Sequence, residues 1–240
     1  MDEKIILERD NIKITRENSI FKIEFKYVAY SLINSLIKTR IIQGGSTDET
    51  YKRIIFKATS VKTLEEFKND NMISQGKKNC LISDVAKMLK SLTTQLNYLI
   101  SNQYQTILGY NPEDIIVIND EKFIFIGSEL VANIDIEEHY EMATISCPFS
   151  TSDFFVSPEL LKIKEIPSKI HYKTAYFSLG ILLIYMLLSD DEFYQDYLKH
   201  KNSEKILESL NIHPAKNTRI YWLLSRCLVE EPKNRSIILI

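Results

Sequence analysis

Apolar and polar residues alternate in short pieces over the first sixty residues, around one segment with helical spacing. The stretch NIKITRENSIFKIEFKYV alternates on both sides of residues 16–19, which predicts a β-hairpin with its turn there. In AYSLINSLIKTRII, Leu32 and Leu36 recur on one helical face, so we predict a helix that ends before Gly44. Residues 51–61, YKRIIFKATSV, predict a further strand.

The pattern breaks at residues 62–79, where KTLEEFKNDNMISQGKKN combines many charges with turn-forming residues. Such a composition is typical of a linker. We therefore predict two parts: a small first part, residues 1–62, with a hairpin, one helix and a strand, and a larger second part, residues 63–240.

Helical spacing dominates the second part. From residue 79, apolar residues recur every three or four positions as far as LNYLISN and predict one long amphipathic helix. A hairpin follows, with strands at 115–118 and 122–126, and then a long acidic segment rich in serine and threonine. Further helices are predicted at 174–188, 203–210 and 219–229.

Composition narrows the classes of function. The chain has 240 residues and a net charge of −2, so it offers no basic surface for nucleic acid. Its most apolar run, at residues 176–188, is shorter than the roughly twenty residues that cross a bilayer. Three separated cysteines argue against a zinc site or a disulfide framework and, with a charged N-terminus, favour a cytoplasmic protein.

Several motifs in the second part resemble, in order and spacing, the second lobe of eukaryotic protein kinases. They are the helix ending LNYLISN, the loop NPED, the hairpin ending at Gly127, VSPELL, KTAYFSLGILLIYMLL and LLSRCLVEEPKNRS. The resemblance covers about residues 63–240 and implies an α+β, bilobal fold with a reduced, mainly β first lobe and a mainly helical second lobe. Kinase-like chains of this reduced kind occur in large DNA viruses and protists, which would place a viral member in the host cytoplasm or nucleus.

The residues that carry the chemistry of kinases are replaced at the matching positions. The resemblance places Gly109 where the family has its catalytic aspartate and Asn111 where it has a lysine. Phe125 stands in place of the aspartate that binds magnesium, and Ala175 in place of an aspartate that supports the catalytic loop. Asp114 replaces the metal-binding asparagine and is the one of these replacements that could still hold a cation through oxygen.

The first part also lacks a phosphate-binding loop, because no glycine precedes Gly44. Lys22, Lys26 and Lys57 lie on predicted strands, but none has the Val-Ala-Ile-Lys context of the kinase lysine. We therefore expect neither a cofactor nor a small-molecule substrate. The alternative is a weak or unconventional ATP-dependent Ser/Thr kinase that holds magnesium through Asp114, Asp120 or Glu129.

Residues with structural roles in the family are retained. Glu159 and Arg235 match a buried ion pair, while Pro158 and Gly127 keep their motif positions. Retained structure without catalytic groups indicates a pseudokinase that acts as a scaffold or regulator of a partner protein, for example a kinase, without contacting nucleic acid or membranes. Candidate surfaces for that partner are the acidic residues 129–141 and the segment 190–205.

Regulation by phosphorylation of the acidic segment is the third hypothesis. The candidate positions share a hydroxyl side chain: Thr144, Ser146, Ser150, Thr151 and Ser152. The resemblance disfavours it, because Leu108 replaces the arginine that would receive such a phosphate. The four histidines are scattered and are expected to be surface or packing residues: His139, His171, His200 and His213.

Overall fold

The computed structural model describes residues 3–75, 82–135, 141–149, 154–188, 191–200, 203–212 and 215–238. Within them the protein is a mixed α+β chain, as the sequence predicts. The strands among these described residues form four antiparallel sheets.

A five-stranded sheet occupies the first part of the chain. Its strands are β1 (Lys4–Arg9), β2 (Ile12–Glu17), β3 (Ile20–Phe25), β4 (Ser46–Thr47) and β5 (Arg53–Lys57), in the order β1-β2-β3-β5-β4. Ile14, Ile23 and Ile54 are paired across neighbouring strands and are fully buried, so one face of the sheet forms a core. Helix α1 (Tyr30–Lys38) buries Leu32 and Leu36 in the same core.

Three smaller sheets follow. Strands β6 (Val61–Thr63), β8 (Ile115–Ile118) and β9 (Lys122–Phe125) form a three-stranded sheet in which β8 is central. Strand β7 (Gln105–Ile107) pairs with β10 (Val131–Asn133), and β11 (Met142–Ile145) pairs with β12 (Ser168–His171). Since β8 is buried at all four residues, the centre of the three-stranded sheet lies in the core.

Helices make up most of the second part. They are α2 (Leu64–Gln75), α3 (Ile82–Gln103), α4 (Pro158–Leu161), α5 (Thr174–Leu188), α6 (Asp191–His200), α7 (Ser203–Ile212) and α8 (Arg219–Cys227). Helix α5 is buried almost all round, and α3, α6, α7 and α8 pack against it. In the described part of the chain, no helix combines the length and the apolar character needed to cross a membrane.

The strongly periodic predictions are confirmed. Strands β2 and β3 form the first hairpin, and β8 and β9 form the second. Helix α3 carries the long apolar stripe, while α5, α7 and α8 lie where helices were expected.

The predicted linker at residues 62–79 is wrong over its first fourteen positions, because residues 61–63 are a strand and residues 64–75 are helix α2. A reciprocal capping box starts the helix: Thr63 N donates to Glu66 Oε2 at 2.8 Å, and Glu66 N donates to Thr63 Oγ1 at 3.2 Å. Phe67 then packs edge-on against Phe123, with ring centroids 5.3 Å apart. The last four predicted linker positions lie outside the described residues.

The single strand predicted at residues 51–61 is two strands in different sheets. Strand β5 ends the first sheet at Lys57, and Val61 already pairs with Ile118 of β8. The junction between the two sheets therefore lies at residues 58–60. Several elements were not predicted, since each is short or lacks a clear apolar period: β1, β4, β7, β10, β11, β12, α4 and α6.

Candidate functional site

The loop between β7 and β8 is held in place by helix α5. Tyr110 N donates to Ser178 Oγ at 2.7 Å, and Ser178 Oγ donates to the carbonyl of Phe155. Phe155 N in turn donates to Tyr110 O at 3.0 Å. Ala175, one helical turn before Ser178, is fully buried and has no polar side-chain atom. Ser178 therefore anchors the loop to α5, although position 175 offers no polar group for that role.

Gly109 lies against the segment that precedes α4. A Cβ atom at this position would overlap the ring of Phe154 and would lie 2.7 Å from Phe155 O. The space that the resemblance assigns to a catalytic aspartate is therefore filled by Phe154, which is itself buried. A substrate hydroxyl has no room beside Gly109 in this arrangement.

Asn111 has a local structural role. Its side-chain oxygen accepts a hydrogen bond from Glu113 N at 3.0 Å and caps the 3-10 turn Pro112–Asp114. An amide at this position offers no positive charge to a phosphate, unlike the lysine of the resemblance.

Phe125 is fixed in the core at the end of β9. Gln95 of α3 bonds both of its backbone groups, since Phe125 N donates to Oε1 and Nε2 donates to Phe125 O, each at 2.9 Å. The Phe125 ring meets Tyr110 edge-on at 5.2 Å between centroids, and both residues are fully buried. Because Gln95 was hidden inside the apolar stripe of α3, sequence reasoning missed it; a buried glutamine in such a stripe signals a required partner.

Asp114 is neutralised by an arginine from the first sheet. Arg9, the last residue of β1, places Nη2 2.9 Å from Asp114 Oδ1 and Nη1 3.6 Å from Glu113 Oε2. A Cβ at Gly127 would lie 2.5 Å from Asp114 Oδ2, so only glycine allows this approach. Sequence reasoning missed Arg9, which lies 105 positions before its partner and belongs to no motif.

Burial raises the pKa of Asp114 to about 6. Arg9 lowers this pKa, but the carboxylates of Glu129 and Glu113 raise it further, so burial and the nearby acids outweigh the ion pair. The nearby carboxylates therefore offset part of the effect of Arg9 on this pKa.

A surface cavity of about 650 Å³ opens beside the Arg9–Asp114 pair. It is lined by residues of the β1–β2 turn, of the segment before α1 and of the turn after β9: Arg9, Asp10, Asn11, Tyr27, Val28, Ser128 and Glu129. Asp120 lies at the opposite end of the β8–β9 hairpin, about 15 Å of strand away from Asp114, and pairs with Lys62 at 2.9 Å. The three alternative magnesium ligands therefore do not converge, although Glu129 is close enough to Asp114 to influence it.

The candidate kinase lysines have no phosphate-binding geometry. Lys22 on β3 pairs with Glu3 at 3.0 Å and Glu24 at 3.4 Å, on the side of the sheet opposite to its core. Helix α1 contains no acidic residue that could form the Lys–Glu pair of active kinases. Lys26 and Lys57 are exposed.

Glu159 and Arg235 form the ion pair that the resemblance implies. Two parallel contacts join them, Nη1 to Oε1 at 2.5 Å and Nη2 to Oε2 at 2.8 Å. Arg235 is fully buried and also donates to Val229 O and Glu230 O. Pro158 is the first residue of α4, which presents Glu159. The pair ties the segment before α5 to the end of the chain.

The candidate phosphorylation positions and the histidines do not form a common site among the described residues. Thr144 lies in β11 and Ser146 just after it, whereas Ser150, Thr151 and Ser152 lie outside the described residues, as do His139 and His213. His171 is buried, which lowers its pKa, and His200 is exposed beside Asp196. Within the described ranges, no group of three or more His, Cys, Asp or Glu side chains is arranged to hold a metal ion.

The two candidate partner surfaces are described only in part. Residues 136–140 of the acidic surface and residues 190, 201 and 202 of the second surface lie outside the described ranges. Residues 191–200 of the second surface form helix α6.

A scan of the chain against models of known protein families found no match, and a search of curated proteins found none either.

Proposed function

We propose that the protein is a catalytically inactive pseudokinase that acts as a protein-binding scaffold or regulator. The observation that carries this proposal is the contact of Arg9 with Asp114. The carboxylate at the position of the family's metal-binding asparagine, Asp114, is paired with a cation of the chain itself. Magnesium would have to displace a guanidinium that is already charged and hydrogen-bonded.

The replacements at Gly109 and Phe125 also argue against phosphoryl transfer. Loss of a general base costs roughly 10²- to 10⁴-fold in rate, and Gly109 offers no base. Phosphoryl transfer depends mainly on metal ions and dipoles that neutralise the phosphates, and Phe125 offers neither, because its ring lies in the core. Since these losses remove different contributions to the same transfer step, they reinforce one another.

The cavity beside Asp114 is also unfavourable for a triphosphate. The β1–β2 turn presents the side chains of Asp10 and Asn11 where a phosphate-binding loop needs glycine. Asp10 and Glu129 place negative charge on the cavity wall, and Arg9 is already paired. Electrostatic repulsion would therefore oppose binding of ATP.

The proposal includes the bilobal kinase-like fold. A five-stranded sheet with α1 precedes a largely helical second part, and the Glu159–Arg235 pair closes that second part. The partner is proposed to be a protein, for example a kinase. The exposed Cys147 and buried Cys227 are both free thiols, which favours a reducing compartment such as the cytoplasm.

Transfer of radiolabelled phosphate tests this proposal. The 240-residue chain is incubated with ATP, Mg²⁺ or Mn²⁺ and generic protein substrates, beside the Asp114→Ala variant. We expect no transfer above background from either protein.

The competing function is a weak kinase that holds magnesium through Asp114 and Glu129. It is favoured by the closeness of the two acids, since Glu129, which lines the cavity, raises the pKa of Asp114. Transfer by the wild type that disappears in Asp114→Ala would establish that function and refute the proposal.

A further inference from the structure

An exposed aromatic side chain lies at the rim of the cavity beside Arg9. Tyr27 is 66% exposed, and its neighbour Val28 is 61% exposed. Both residues line the cavity and belong to the short segment between β3 and α1. Adjacent apolar side chains that remain this exposed are typical of an interaction surface.

The charges around this cavity are predominantly negative. Asp10 and Glu129 line it, and Glu113 and Asp114 lie just beyond Arg9. Four carboxylates thus accompany two cations, Arg9 and Lys26, and Arg9 is held by two of the acids. The positive effect of Glu129 and Glu113 on the pKa of Asp114 reflects the same negative field.

Tyr27 already attracts a cation. The ammonium of Lys26 lies 5.6 Å from the centroid of its ring. A guanidinium would suit the site better than an ammonium, because its plane stacks on an aromatic ring while its N–H groups reach carboxylates at the edge.

We propose that this cavity is a docking site for an arginine side chain of a basic segment in a partner protein. Tyr27 stacks on the guanidinium, and Glu129 and Asp10 accept its hydrogen bonds. This docking proposal specifies the chemistry of the partner that the scaffold binds, and it therefore rests on the proposed scaffold function. Peptide binding and phosphate transfer are separate measurements, however, so each proposal can fail alone.

The test uses fluorescence anisotropy with the full chain and two labelled peptides of equal length and charge, one arginine-rich and one lysine-rich. We expect the arginine-rich peptide to bind more tightly. Tyr27→Ala and Glu129→Gln should each weaken its binding by roughly threefold. Both residues are exposed, so the variants should fold normally, which circular dichroism checks.

Two matched variants control for general electrostatic and aromatic effects. Glu165→Gln removes an exposed acid outside this cavity, and Trp222→Ala removes an aromatic side chain that is 52% exposed on α8. Neither should change the affinity for the arginine-rich peptide. The proposal is overturned by equal affinity for the two peptides, by absence of binding, or by equal weakening in the control variants.

Discussion

Gly109 and Gly127 show how single residues shape this site. Each is required by the close approach of a neighbour, Phe154 to Gly109 and the Asp114 carboxylate to Gly127. Sequence motifs located both glycines, but they could not show what fills the space beside them. The side chains that fill it come from residues distant in the sequence: Phe154 beside Gly109, and Arg9, which pairs with Asp114.

Restoring the aspartate that the resemblance assigns to position 109 should damage the protein without restoring activity. In Gly109→Asp the new side chain overlaps Phe154 and approaches Phe155 O, so we expect a loss of about 1–3 kcal/mol in the free energy of unfolding. Urea denaturation measures it, with Ser101→Ala, an exposed position on α3, as the control. An unchanged midpoint would show that the site is more open than described.

Asp114 should make stability depend on pH. Its pKa is about 6 in the folded protein, above the ordinary aspartate value of 3.8 that applies to the unfolded chain, so the folded protein holds this proton more tightly. The resulting stabilisation is complete below about pH 4 and is lost as the pH rises through 6, by about 1.4 kcal/mol for each pH unit between the two values.

The thermal midpoints of the wild type and Asp114→Asn between about pH 4 and pH 7 measure this effect. In the wild type, Asp114 should lower the thermal midpoint as the pH rises. Asp114→Asn should not show this fall in the midpoint. Asp120→Asn, which changes an exposed aspartate at the other end of the hairpin, should keep it. Parallel pH profiles for all three proteins would contradict the burial of Asp114.

Among the helices and strands, those with a long, regular pattern were predictable and the short ones were not. Helix α3 repeats its apolar stripe over 22 residues, and β8 and β9 are joined by a tight turn. Strands β7 and β10 pair only three residues each, from parts of the chain 24 positions apart, and neither carries a local signal of its partner. Helix α2 was missed because its charges resembled a linker, although Thr63 and Glu66 formed a recognisable capping box.

The capping box should account for part of the stability of α2. Thr63→Ala removes the side chain that accepts from Glu66 N, so we expect a loss of about 0.5–2 kcal/mol in unfolding free energy. Urea denaturation provides the measurement. Glu65→Ala, which removes an exposed acid from the same helical turn, is the control and should have a smaller effect. Equal losses in the two variants would argue against the cap.

In the whole molecule, the Arg9–Asp114 and Glu159–Arg235 ion pairs join parts of the chain that lie far apart in sequence. Arg9 joins the first sheet to the loop before β8, and Glu159–Arg235 joins α4 to the last described residues. The sequence motif pointed to the second pair because both partners lie in recognisable segments. It could not point to the first, since Arg9 lies in an ordinary strand.

The Glu159–Arg235 pair should be important for stability. Glu159→Gln leaves the fully buried Arg235 without its counter-charge, so we expect a loss of about 3–5 kcal/mol. Asp120→Asn breaks an exposed pair with Lys62 and should cost less than about 1 kcal/mol. Denaturation curves that show similar losses for both variants would contradict the buried role of Arg235.

The thermal midpoint of the 240-residue chain with and without ATP and Mg²⁺ tests whether the chain's own residues occupy the site of a nucleotide–metal complex. A ligand that binds only the folded state must raise this midpoint. We predict no shift at millimolar concentrations. A rise that is lost in Asp114→Asn would show that the site binds nucleotide and metal, and would refute the proposed loss of nucleotide binding.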